Sequence, residues 1–333
     1  MALYPPEGKY FSGSEIMELR LGFVANALSL WDASPSKTMT FKRYSELSED
    51  ERKQKLLEVT AANLEHTKRI LYYLAAHEIQ LYRLSSSMVP LATHPEVKWD
   101  FVSPFRREWE ELGLLIKKFN IRTSYHPNQF TLFTSPKDSI TDNAVEDMVF
   151  HYKMLEAMDV LDQSLINIHV GGTYGNKEEA LARFHKNLQK LPAHVKKYMT
   201  LENDDKTYTV EETLEVCEKE KIPMILDVHH HEANQSTEPL QEYLPRILDT
   251  WKQRNLRPKI HVSSPKSEKA FRSHSDNVDI EFVLPYLKML KELDEDIDIM
   301  IEAKNKDIAM LKLTEDIAKI RGVKRVSGGI LNW

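Results

Sequence analysis

Eight short apolar runs, each followed by a longer stretch of helical periodicity, recur along this chain, and six consecutive runs carry a histidine, an aspartate or a glutamate at or near their ends. The runs are residues 19–23, 79–84, 121–126, 164–170, 198–202, 222–227, 258–263 and 298–302. Runs of this length read as strands buried on both faces. The segments between them carry apolar residues at helical spacing, as Leu56, Leu57, Val59, Leu64, Ile70, Leu71 and Leu74 do within 48–77. Further helices are expected over 103–119, 142–161, 177–191, 209–220, 239–254, 278–293 and 307–320. Strict strand–helix alternation builds a parallel sheet, and eight units are the number that closes a (β/α)8 TIM barrel. An open doubly wound sheet is the alternative, but no glycine-rich nucleotide fingerprint follows the first run. A single domain over residues 1–333 is expected, its core at about 19–320 between short tails. The C-terminal stretch with Gly328, Gly329 and Trp333 carries no pattern that assigns it a role.

At or within two residues of the ends of runs three to eight stand His126, His169, Glu202, Asp227, His261 and Glu302. In a barrel these ends converge on one face, where barrel enzymes keep their active sites. The longest non-helical connections, 26–47 and 85–102, lie on that face too. A lone histidine or carboxylate at a strand end is usually a hydrogen-bonded rim residue or a helix cap. Six in succession point instead to a polynuclear metal centre, because buried carboxylates and imidazoles need a partner of opposite character. His230 and His274 in the following loops are within reach of it, and His94 lies in the loop after the second run. Three carboxylates and this many histidines exceed the four ligands of one tetrahedral ion. Carboxylate and imidazole without thiolate suit manganese or zinc; magnesium prefers fewer histidines. Such centres hydrolyse phosphate esters. His66, His77, His151, His185 and His194 fall on helices and read as structural, and Gly171-Gly172 as a turn.

Composition narrows the setting. The net charge of −6 leaves no basic footprint of the kind nucleic-acid binders carry, although bound divalent ions offset clustered carboxylates. The one cysteine, Cys217, excludes intrachain disulfides, fits a reducing cytoplasm and reads as a packing residue. No apolar run reaches the roughly 20 residues that span a bilayer, and the start of the chain lacks the pattern of a signal peptide.

Six motifs in order carry a family resemblance: Ser124-Tyr-His-Pro-Asn-Gln-Phe130, Asn167-Ile-His-Val-Gly-Gly172, Leu201-Glu-Asn-Asp-Asp205, Asp227-Val-His-His230, Pro258-Lys-Ile-His-Val-Ser-Ser-Pro-Lys-Ser267 and Ile301-Glu-Ala-Lys-Asn-Lys-Asp307. Together they resemble the UV damage endonucleases, over nearly the whole chain from Leu19 to about Lys312, and 26–35 resembles the Bacillus-type members. The resemblance implies a TIM barrel related to endonuclease IV with a three-metal, manganese-favouring centre, zinc or magnesium being the alternatives. It implies nicking of UV-damaged double-stranded DNA immediately 5′ of pyrimidine dimers and 6-4 photoproducts, leaving a 3′-hydroxyl without ATP. A cytoplasmic monomer, with no membrane attachment, is expected.

By match to the family's motifs the metal ligands are His126, His169, Glu202, Asp227, His230, His261, His274 and Glu302, with His94 as a further candidate. Glu202, Lys259 and His230 are the residues expected to act in the chemical step. Lys259 stands where some members carry a carboxylated lysine; an ordinary lysine reaching for phosphate is the other reading. Asn128, Gln129 and Phe130 are the expected lesion probe, and Arg83, Lys304 and Lys306 candidate phosphate contacts. Many relatives have tyrosine at Phe130, which keeps the stacking ring. Rival readings are an abasic-site endonuclease of the endonuclease IV type, a metal-dependent sugar isomerase or epimerase on the same barrel, and a DNA-binding barrel without chemistry.

Overall fold

In the computed structural model, which describes residues 16–333, the eight apolar runs are strands β1 (Glu18–Val24), β2 (Leu81–Arg83), β3 (Arg122–Tyr125), β4 (Leu165–His169), β5 (Met199–Glu202), β6 (Met224–Asp227), β7 (Lys259–Val262) and β8 (Ile297–Ile301). Each pairs in parallel with the next, and β8 pairs with β1 over Leu19–Phe23, which closes the barrel. The open doubly wound sheet is thereby excluded. The residues expected of an N-terminal tail, and the reading of them as lacking a signal peptide, lie outside those described. Among the described residues no helix is long and apolar enough to cross a membrane.

The helices are α1 (Phe41–Ser45), α2 (Glu49–Ala76), α3 (Arg106–Lys118), α4 (Asp138–Ala157), α5 (Lys177–Leu188), α6 (Ala193–Lys196), α7 (Val210–Glu220), α8 (Val228–Ala233), α9 (Leu240–Lys252), α10 (Ile280–Glu292) and α11 (Lys306–Ala318). Local chemistry sets their ends. Ser48 and Glu51 form a capping box on α2, whose first turn is acidic and so matches the helix dipole. Thr209 and Glu212 do the same for α7, which Lys221 stops in the left-handed conformation at φ 56°. Cys217 packs fully buried on α7, as a small apolar residue would.

Two elements depart from expectation. The histidine run after β6 is a short helix where a loop is expected: residues 228–233 turn into α8, with the Asp227 carboxylate accepting from the His230 N–H at 2.8 Å as N-cap. The C-terminal stretch forms a hairpin of β9 (Lys324–Arg325) and β10 (Ile330–Asn332). Because β2 pairs with β1 only at Phe23 and Val24, the edge of β1 from Glu18 to Arg20 is open, and β10 covers it in antiparallel register. Gly328 is required there, since a Cβ would lie 1.6 Å from the His77 carbonyl oxygen. Gly171, at φ +125°, makes the turn leaving β4.

Candidate metal centre

Strand side chains alternate, so residues two apart on a strand share the barrel interior. This places Arg20, Arg122, Lys259 and Asp298 in a buried lower layer and lifts Glu202, Asp227 and His261 above them. In the lower layer Asp298 accepts from Arg20 at 2.7 and 2.8 Å and from Arg122 at 2.7 Å. Lys259 is 1 % exposed and its Nζ has no hydrogen-bond partner. Burial, followed by the field of Arg122, holds its pKa well below that of an ordinary lysine. A tip enclosed in the barrel in this way counts against the reading of Lys259 as a phosphate contact.

The upper layer brings seven of the expected ligands into three groups of three: His126 with His169 and Glu202, Glu202 with Asp227 and His230, and Glu202 with His261 and Glu302. Within each group the candidate donor atoms lie within 4.8 Å of one another, and Glu202 belongs to all three. Oε2 of Glu202 is 3.3 Å from Nε2 of His126 and 3.1 Å from Nδ1 of His261, while Oε1 is 3.4 Å from Nδ1 of His230. Nδ1 of His261 is also 3.1 Å from Oε1 of Glu302. Backbone contacts orient the rings: His126 Nδ1 faces the Pro127 carbonyl at 2.9 Å and His230 Nδ1 the Asn203 carbonyl at 3.0 Å.

The charge balance of these groups calls for cations. Burial works to lower the pKa of His261, but Glu202 and Glu302 outweigh it and push it up to about 9. Burial likewise opposes, and Asp227 and Glu202 overcome it, to raise His230 to about 9. Burial raises Asp227 above the usual carboxylate range. Burial also disfavours ionised Glu202, yet the imidazoles of His261 and His169 hold it well below that range. Nδ1 of His169, Oε1 of Glu202, Oδ2 of Asp227 and Nδ1 of His261 are buried with no hydrogen-bond partner. Orphaned buried atoms are costly, and these four belong to residues of the three groups. Divalent cations would satisfy them, and the oxygen and imidazole donor set is of a kind that manganese or zinc accepts.

The remaining expected residues are placed as follows. His274 stands beside the cluster, its Nδ1 2.5 Å from the Glu302 carbonyl oxygen and its ring centroid 6.3 Å from that of His230. His94 is not brought in: it stacks on Phe41 of α1, with centroids 4.0 Å apart, and its Nδ1 accepts from the Glu96 N–H. Held in that stack, His94 joins none of the ligand groups. Arg83, at the end of β2, pairs with Glu302. Lys304 is exposed in the loop after β8, and Lys306 is half-buried at the start of α11. Asn128, Gln129 and Phe130 are exposed, and the Asn128 side-chain oxygen accepts from the Phe130 N–H at 2.8 Å, which shapes the loop. Between this loop and 204–207 lies a cavity of about 370 Å³ bordered by His126, His169 and His230.

Three residues without an assigned role in the sequence take part. Asn167 donates to Glu202. Asn203 donates to the Asp227 carbonyl and accepts from the Asp227 N–H. His229 is buried between the Ser263 hydroxyl and the Phe271 carbonyl. The signal that could have found Asn167 is its position two residues before His169, on the same face of β4.

The likenesses to known proteins follow this geometry. The family model for UV-endonuclease UvdE matches residues 19–333. A UV DNA damage endonuclease of Bacillus cereus (strain 03BB102) is 57% identical over 317 residues, 95% of this chain and all of that protein. The crystal structure of SacUVDE, at 30% identity, superposes with a TM-score of 0.80 over 91% of this chain and all of that one. A D-allulose 3-epimerase from Methylomonas sp., at 15% identity and a TM-score of 0.51 over 92% of this chain and 91% of that one, shares the barrel alone. The chain belongs to the UV-endonuclease UvdE family.

Proposed function

We propose that the chain is a metal-dependent endonuclease that nicks UV-damaged double-stranded DNA immediately 5′ of cyclobutane pyrimidine dimers and 6-4 photoproducts, leaving a 3′-hydroxyl and needing no ATP. The observation that carries this reading is Glu202 shared by three ligand groups at the barrel mouth, beside a cavity bordered by an exposed Asn-Gln-Phe loop. His126, His169, Glu202, Asp227, His230, His261 and Glu302, with His274 at the edge, would hold three divalent ions, manganese being favoured. Bound there, such ions supply a nucleophile of hydroxide strength at neutral pH and neutralise charge on the phosphate and the departing oxygen.

The chain's own residues supply the positioning. Arg83 pairs with the Glu302 carboxylate, and Asn167 with that of Glu202, so both carboxylates are held before substrate arrives. The Asn128 turn presents the Phe130 ring, 71 % exposed, to the duplex. A photodimer stacks and pairs poorly, so extruding it costs less than extruding normal bases. Gln129 and Phe130 then fill the gap against the opposite strand, and the cavity beside the histidines receives the extruded bases. Lys259, enclosed and without a hydrogen-bond partner at its tip, fits a carboxylated lysine better than a phosphate contact. The working unit is read as one cytoplasmic domain acting as a monomer.

Purified protein with Mn²⁺ is expected to nick UV-irradiated supercoiled plasmid and to spare unirradiated plasmid. Equal nicking of both, or nicking confined to depurinated plasmid, overturns this function.

A further inference from the structure

The connection from β1 to α1 is built to hold still and yet shows its apolar side chains to water. Its Leu28 and Ser29 N–H groups donate to the fully buried carboxylate of Asp307, at 2.6 and 3.3 Å, and Tyr73 donates to the same carboxylate at 2.9 Å. Arg69 donates from two nitrogens, one to the Trp31 carbonyl and one to that of Asp32, both at 2.8 Å. Farther along, Asn63 exchanges two hydrogen bonds of 2.8 Å with the backbone of Lys37. A loop tied at this many points could fold its indole inward, but Trp31 is 89 % exposed and Leu28 is 48 % exposed. An indole in water forfeits the largest burial a side chain can offer, so a rigid loop that displays one fits a surface made for contact.

Position identifies the occupant. The loop leaves the same end of the barrel as the metal groups, and its clamp, Asp307, lies on the segment that leaves Glu302. Around the mouth the ends of β3 to β8 carry the ligand groups, whereas β1 and β2 carry none of them. Duplex DNA with its scissile phosphate over Glu202 must run across the rim loops on two sides. The β1 side offers it Trp31 and Leu28, with exposed Lys304 in the neighbouring loop, while Lys37 in the same loop lies 3.5 Å from the Asp32 carboxylate. We propose that the β1–α1 loop is a second DNA contact, in which Trp31, with Leu28, packs on the sugar and base surface of the duplex flanking the lesion, positioned by Asp307 and Arg69. This rests on DNA being the substrate of the mouth.

The test uses the full chain, Mn²⁺ and a duplex oligonucleotide carrying one thymine dimer. Trp31→Ala should raise KM about tenfold, in line with loss of one aromatic contact to nucleic acid, with the loss falling on KM rather than on kcat; Trp31→Phe should recover most of it. The difference in acrylamide quenching between the wild type and Trp31→Phe isolates Trp31 from buried Trp109 and Trp251 and from partly buried Trp99 and Trp333, and that difference should fall when the duplex binds. A protein that nicks the dimer duplex with an unchanged KM in Trp31→Ala, and with Trp31 still open to acrylamide, removes this contact and leaves the proposed function standing. A protein that shields Trp31 on the duplex but nicks nothing keeps the contact and removes the function.

Discussion

The side-chain amide of Asn167 donates to Oε2 of Glu202, across the paired strands β4 and β5. The Thr200 hydroxyl donates to the Asn167 oxygen at 2.9 Å, so the amide can turn only its nitrogen toward Glu202. Oε2 is thereby satisfied, and Oε1 is left as a buried atom without a partner. Asn167 thus orients the carboxylate common to all three ligand groups. Asn167→Ala is expected to weaken divalent-ion binding by about 10- to 100-fold, read as a shifted Mn²⁺ dependence of nicking and of thermal stabilisation. Glu202→Gln should abolish nicking and the Mn²⁺-induced rise in Tm while circular dichroism stays unchanged. A Glu202→Gln protein that Mn²⁺ still stabilises as it does the wild type would take Glu202 out of the ligand set.

Phe130 is 71 % exposed and contributes little to the core, so its removal should leave stability within about 0.5 kcal/mol. Its effect should fall on damaged substrate: Phe130→Ala is expected to cost about 1–3 kcal/mol in kcat/KM on a dimer duplex, the value of one aromatic–base stack. Phe130→Tyr keeps the ring and should stay near wild type. Equal activity of the alanine and tyrosine variants would mean that the ring does no stacking.

The barrel was legible in the sequence because buried parallel strands are continuous apolar runs and their helices keep a clear period; Leu19–Phe23 and Met199–Glu202 stand out for that reason. Residues at strand ends were legible as a group because closure of the barrel converges them. Loops were not. His94 has the chemistry of a ligand, but which way a loop turns its ring depends on packing against Phe41, a contact that no spacing rule gives. Asp227 looked like the end of a strand and is also the cap of α8, since six residues are too few to show a helical period. The β10 edge strand is three residues long and is held by an opening in the barrel, not by its own pattern. Asn167 could be found only through its place two residues before His169, and Asn203, just past β5, was not legible as a site residue because an asparagine carries no chemistry until its partner is known.

Asp298 sits in the floor of the barrel, fully buried, on the strand that leads up to Glu302. Burial alone would raise its pKa, but Arg122 and Arg20 outweigh that and hold it below the usual aspartate range. A carboxyl whose folded pKa is depressed stabilises the fold above its unfolded pKa of about 3.9, and that contribution is lost as pH falls through the lower folded value. Asp298→Asn leaves the two buried guanidiniums uncompensated, which should cost about 3–5 kcal/mol at pH 7. Urea unfolding should therefore show a clearly lower midpoint for the variant at pH 7, and a gap that narrows as the pH is taken below about 4, where the wild type loses this contribution and the variant has none to lose. Equal midpoints at pH 7 would mean that the ion pairs of Asp298 add nothing net to the fold.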